Sequence, residues 1–281
     1  MSSIALGQTG GGAGPVNTGP GGDPAALSSQ HGHPIGDIAA MVARELRRTL
    51  RSVDGLVTAF AIPVCIMLVF VVVFGGAIED DGRYIEYVVP GILVLCLGFG
   101  AASTATAVAQ DMTSGTIDRF KTMPIFGASV LYGHLVSSVL RNLAACVPVL
   151  GVALLLGFRP HADAASWLLA IAFAVLIIVA FTWLSCVAGL VLSVEAANSV
   201  TFVFLFLPYV SSGFVGTDTM PGWLQGFADT QPFTPIIETL RDLLGGVAPG
   251  PVFWQAFAWL AGILVLSVAG SMLLYRRTAA K

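Results

Sequence analysis

Between Gly115 and Pro124, Ile117, Phe120 and Met123 recur three residues apart and alternate with Asp118, Arg119 and Lys121. This is the pattern of one or two amphipathic turns whose apolar side enters a groove on another protein. A surface helix resting on a bilayer is the other reading of the same residues. Gly115 breaks the helix before it, and Pro124 ends the short helix after it. Bond-making chemistry is not written in the chain. His31, His33, His134 and His161 are widely scattered, and no constellation of nucleophiles or general acids accompanies them. Cys65, Cys96, Cys146 and Cys186 lack ligand spacing and read as small apolar residues. No GxxxxGK[ST] loop occurs, and the first lysine is Lys121, so this chain does not hydrolyse ATP by itself. The cluster Gly10-Gly11-Gly12-Ala13-Gly14 has no following Lys-Ser/Thr and reads as linker.

A second designed segment runs from Pro221 to Gly246. Thr234 is expected to cap a helix whose first position is Pro235. Ile236, Ile237, Leu240, Leu243 and Leu244 form one stripe, and Gly245-Gly246 supply the stop. That stripe either dips into the outer leaflet or closes the top of a bundle. Pro232, Pro235, Ile237, Leu240 and Arg241 are its candidate gate residues, and Trp223 and Phe227 suit the same interface.

Six long apolar runs position these segments, over about 55–78, 88–109, 131–158 (uncharged only from Asn142), 167–194, 196–217 and 253–275. Each has the roughly 17 residues or more that a helix of 1.5 Å rise needs in a hydrocarbon core of ~30 Å. Lipid cannot satisfy a free backbone, so the runs are expected to be helices. Hydrophobic residues are 56% of the chain and charged ones 10%, with a mean hydropathy of +0.86. The expected fold is an all-α membrane protein of six transmembrane helices, occupying 37–281 behind a disordered tail, 1–36. The net charge of −3 gives no reason to expect a nucleic-acid partner. Ile38–Leu50 mixes apolar residues with arginines, as an amphipathic N-terminal interfacial helix does. Arg44, Arg47, Arg48, Arg51, Arg119, Lys121, Arg276, Arg277 and Lys281 fall on one side of the spans; Arg83, Arg159 and Arg241 fall on the other. The richer side is cytoplasmic, which places both termini there.

Arg141 lies near the start of the third uncharged run and either snorkels towards water or pairs across a subunit interface or with an anionic headgroup, His134 sharing its helical face. Phe202, Phe206 and Tyr209 share a face of the fifth span, where core or lipid-facing packing is the default; were that face a route, its aromatic, uncharged character would suit an amphiphilic or hydrophobic cargo. Gly91, Gly98, Gly100, Ala101, Ala102 and Ser103 give the second span a surface for close helix packing, within one subunit or against a partner.

The chain resembles the permease subunit of type-2 ABC exporters of the daunorubicin-resistance type. The resemblance rests on Asp111, Gly115-Thr116, Asp118-Arg119-Phe120 and Met123-Pro124 after the second span. It rests also on Gln231-Pro232-Phe233-Thr234-Pro235, Leu240-Arg241 and Gly245-Gly246 before the last, and covers roughly 38–277. One departure is Gln110-Asp111, where many of the broader family carry Glu and a basic residue. The resemblance implies that Gly115, Thr116, Ile117, Asp118, Arg119, Phe120, Lys121, Met123 and Pro124 form a cytoplasmic coupling helix docked on a separate ATP-binding subunit. ATP and magnesium would sit on that partner, with no cofactor in this chain. It implies two permeases, identical or homologous, with their second and fifth spans around a route for a drug or lipid-like metabolite. The expected location is a bacterial inner membrane. The competing class, an ion-coupled secondary transporter, wants acidic residues at membrane depth, and all sixteen lie outside the six runs.

Overall fold

The computed structural model describes residues 42–43, 53–75, 83–114 and 129–279. Eight α-helices and no strand occur among them. They are α1 (Val53–Leu68), α2 (Tyr84–Thr113), α3 (Ser129–Leu155), α4 (Ala164–Val191), α5 (Val194–Phe206), α6 (Gly222–Thr230), α7 (Phe233–Leu244) and α8 (Pro251–Ala279). The tail and all of the proposed interfacial helix except helical Val42 and Ala43 lie outside the described residues.

Four helices are long and apolar enough to cross a membrane: α2, α3 over Leu131–Leu155, α4, and α8 over Pro251–Leu274. The first and fifth runs form shorter apolar helices, Ala59–Phe74 and Val194–Val210. The fifth is broken because Pro208 brings no N–H and a fixed ring. α5 therefore ends at Phe206, a 3-10 turn covers Leu207–Val210, and the chain bends through 211–216. The continuous helix expected to Thr217 is corrected by that proline. α1 changes winding, with Val69–Phe74 forming a π-helix.

α2 is the central element, packed by α1, α3, α4, α5 and α7. Val88, Val89, Ile92, Val94, Leu95 and Cys96 are fully enclosed. Its small residues permit this inside a single subunit. A Cβ on Gly91 would lie 2.5 Å from the carbonyl oxygen of Gly213, and one on Gly100 would collide with the Asn142 carboxamide. Gly189 of α4 approaches as closely, 2.5 Å from the Ala105 carbonyl by the same measure. Interdigitation at that distance replaces a hydrophobic driving force, which is absent between helices in lipid.

Side-chain caps fix the starts of α4 and α5. Asp163 accepts from the Ser166 N–H at 2.8 Å, and Ser193 accepts from Ala196 at 3.3 Å. Leu192 and Ser193 are the whole connection between the two helices, and Glu195 falls in the first turn of α5, where the helix dipole favours it.

Candidate functional site

The segment Gly115, Thr116, Ile117, Asp118, Arg119, Phe120, Lys121, Met123 and Pro124 lies outside the described residues. Its root does not. α2 ends with Ser114 N–H on the Gln110 carbonyl at 2.9 Å and Thr113 Oγ1 on Ala109 at 3.1 Å. Three residues earlier, Asp111 Oδ2 meets His134 Nε2 of α3 at 3.0 Å, with both side chains buried. A carboxylate and an imidazole withdrawn from water together hold the departure point of the segment against α3. Nothing in the sequence links positions 23 apart, so Asp111 reads there only as part of a motif.

Continuing along α3, Ser137, Ser138 and Asn142 are buried beside that pair. Ser138 shares a hydrogen bond with Thr182 of α4 at 2.9 Å, and Asn142 Nδ2 donates to the Ser138 carbonyl at 2.9 Å. Arg141 corrects the snorkelling expectation. Its guanidinium turns onto α2, donating to the Gly100 carbonyl at 3.0 Å and to Ser103 Oγ at 2.9 Å. Gly100 and Ser103 lie on the small-residue surface of α2, so a guanidinium finds acceptors there without leaving the bundle. The seven-residue spacing of His134 and Arg141 was the visible trace of this polar seam.

On α5, Phe202 and Phe206 are 55% and 59% exposed. Tyr209 is half-buried and stacks on Phe214, with ring centroids 4.4 Å apart and planes 9° from parallel. Phe206 lies 6.2 Å from Tyr209, and Phe70 of the π-helical segment is 5.9 Å from Tyr209 and 4.4 Å from Phe214. Phe206 and Tyr209 thus join an aromatic cluster with α1, while Phe202 stands apart from it. Phe204 faces inward against Phe181 and Phe233.

α7 brings the gate candidates together. Its stripe, Ile236, Ile237, Leu240, Leu243 and Leu244, is buried against α2, α4 and α8, with Ile237 fully enclosed. The stripe thus packs against the other helices of the chain. Pro232, not Thr234, precedes the first helical residue, and Pro235 is buried inside the first turn. Thr234 instead donates to the Ala228 carbonyl at 2.6 Å and accepts from Ser212 N–H at 3.4 Å, tying α7 to α6 and the 211–216 bend. The helix stops in a Schellman arrangement: Val247 N–H bonds the Asp242 carbonyl at 2.8 Å and Gly246 N–H bonds Leu243 at 3.2 Å, with Gly246 at φ 76°.

Arg241 ties this helix to its neighbours. Its Nη2 donates to the Ser212 carbonyl at 2.7 Å and to the Tyr87 carbonyl at 3.1 Å, and Nε donates to Tyr87 at 3.2 Å. The guanidinium carbon also lies 3.8 Å from the centroid of the Tyr87 ring. Burial pulls its pKa down, while Tyr87, Glu238 and Asp242 pull the other way. Burial likewise raises the Glu238 carboxyl, against the pull of Arg241.

Several membrane-length helices around one buried helix define a multi-pass α-helical membrane protein. The ABC-2 type transporter family matches residues 36–244, and the chain belongs to that family. It is 31% identical over 231 residues to the daunorubicin resistance ABC transporter permease protein DrrB1 of Streptomyces coeruleorubidus, covering 79% of both chains. It is 26% identical over 242 residues to the probable doxorubicin resistance ABC transporter permease protein DrrC of Mycobacterium tuberculosis, covering 84% of this chain and 87% of that one. The chain is therefore the permease subunit of an ABC exporter, and ATP hydrolysis belongs to a separate ATP-binding subunit.

Proposed function

We propose that this permease moves a hydrophobic or amphiphilic compound, a drug or lipid-like metabolite, out of the cell as one of two permeases docked on ATP-binding subunits. The observation that carries the reading is the uncharged aromatic cluster where the end of α5 and the turn and bend after it meet the π-helical segment following α1, through Phe206, Tyr209, Phe214 and Phe70. Aromatic faces accept flat or greasy molecules without asking them to shed a tightly held charge. The drug-resistance names of its relatives point the same way. Phe202, Phe206 and Tyr209 line the path in this reading, and the second permease, identical or homologous, closes it.

The chain crosses the membrane six times, the two shorter apolar helices α1 and α5 completing the four long ones, with α6 and α7 on the outer side. The skew of Lys and Arg supports an inner-membrane protein with both ends of this chain cytoplasmic. Residues 115–124 form the coupling helix, ATP and magnesium stay on the partner, and this chain carries no cofactor. α7, with Pro232, Pro235, Ile237, Leu240 and Arg241, gates the outer end. A cysteine label at Gly222 should react from outside intact cells and one at Ser114 should not; the reverse overturns the orientation.

Efflux of a compound panel, measured in cells carrying the chain with its ATPase, tests the transport reading. Export should vanish with an ATPase disabled in its Walker lysine and persist when a protonophore collapses the proton gradient. Export that survives the first and fails with the second belongs to an ion-coupled transporter.

A further inference from the structure

We propose that this permease holds one anionic phospholipid, its phosphate among arginines at the rim of α2, α3 and α7 and an acyl chain between α3 and α4. Two adjoining cavities carry the inference, and neither uses the α5 aromatic residues or the 115–124 segment. The first, of about 440 Å³, is lined among the described residues by Arg83, Arg159, His161 and Arg241, with Glu86 the one carboxylate on that wall. Arg241 is shared with Glu238 and Asp242 of its own helix, so Arg83 and Arg159 at the mouth are the cations offered to an anion, and guanidinium pairs well with phosphate. Arg159 is exposed yet anchored, because its Nη1 donates to the carbonyls of Leu154 and Phe158 at 2.9 Å each. The C-terminal end of α3 and the turn after it thus fix a cation at the cavity's edge in place of a freely moving one.

The second cavity, of about 330 Å³, is lined by apolar side chains alone. Leu143, Val147 and Leu150 of α3 form one wall, and Trp167, Ile171 and Ala174 of α4 the other, each at i, i+4 and i+7. Val147 and Ile171 are 69% and 49% exposed, so the slot opens sideways on the apolar surface of the helices. Leu244 lines both cavities, so the cationic one at the helix ends adjoins the apolar one along the helices. A soluble anion would use only the first half, and a neutral hydrophobe only the second. An anionic lipid uses both, its phosphate meeting the guanidinium groups and its acyl chain the apolar slot.

The test is a lipid titration of the purified full chain in detergent, read by native mass spectrometry, with phosphatidylglycerol, phosphatidylcholine and inorganic phosphate as probes. Phosphatidylglycerol should bind about tenfold more tightly than phosphatidylcholine. Arg159→Glu should remove that preference, and Ile171→Trp, which fills the slot from an exposed position, should weaken phosphatidylglycerol by a similar factor while the helical circular dichroism stays unchanged. Equal binding of the two lipids, or indifference to both substitutions, overturns the proposal. It is overturned in favour of a free-anion site if inorganic phosphate displaces the lipid and Ile171→Trp has no effect.

Discussion

Replacing Arg241 removes a side chain that joins α7, α2 and the 211–216 bend. In Arg241→Ala three hydrogen bonds disappear and the carbonyls of Tyr87 and Ser212 lose a charged donor. Hydrogen bonds to charged groups contribute about 1.5–3 kcal/mol each, and an acceptor left buried and unpaired costs about 1–3 kcal/mol. The guanidinium over the Tyr87 ring adds roughly 1 kcal/mol. Against this stands the cost of burying the cation, seen in its lowered pKa, which the substitution relieves. The net loss should be about 3 kcal/mol. Arg241→Lys keeps the charge but not the fork that spans two carbonyls, so it should lose about half as much. The assay is thermal unfolding of the purified chain in one detergent, where 3 kcal/mol corresponds to a fall of roughly 6–12 °C by the scaling for large domains. Compound efflux by the same variants in membranes completes it. If Arg241→Ala melts with the parent protein and exports at its rate, α7 is not held by this clamp and the reasoning fails.

Gly91→Ala should destabilise by about 1–3 kcal/mol, since its Cβ meets the Gly213 backbone, whereas Gly262→Ala, with open space, should be neutral or stabilising by up to ~1 kcal/mol; equal melting temperatures would contradict the close approach. Asp111→Ala and His134→Ala should each cost about 1–3 kcal/mol, and the double variant clearly less than the two together, as a thermodynamic cycle on melting will read. Asp163, its pKa lowered below the ordinary 3.8 by the Ser166 N–H, stabilises the folded chain fully above that value, and the contribution fades as pH falls through the lowered one. Asp163→Asn keeps the cap and should flatten that acid limb of a melting-versus-pH curve; an unchanged limb assigns it to other carboxylates.

How much was legible follows from what lipid demands. Long apolar runs must be helices because no water is present to satisfy a bare backbone, so α2, α3, α4 and α8 were visible directly. Pro208 and Pro232 changed the outcome where a run contained or adjoined a proline: the first cut α5 short, and the second took the position before the helix that Thr234 was expected to fill. The stripe and stop of α7 were readable because they are local. The Asp111–His134 pair and the fold of Arg141 onto Gly100 were not, since both depend on which helices become neighbours. The same holds for the meeting of Phe70 with Tyr209 and Phe214, which required the π-helical end of α1.

The central claim is that work done by a separate ATPase enters this permease through residues 115–124. Truncating an aromatic anchor commonly costs ~2 kcal/mol or more, about thirtyfold in affinity, and rim charges matter less. The decisive measurement compares Phe120→Ala with Lys121→Ala in the same membranes, reading ATPase retention and compound efflux together. The account predicts that Phe120→Ala loses its ATPase or its coupled export while the chain still inserts, and that Lys121→Ala stays close to the parent. Normal export by Phe120→Ala with its ATPase bound would contradict it.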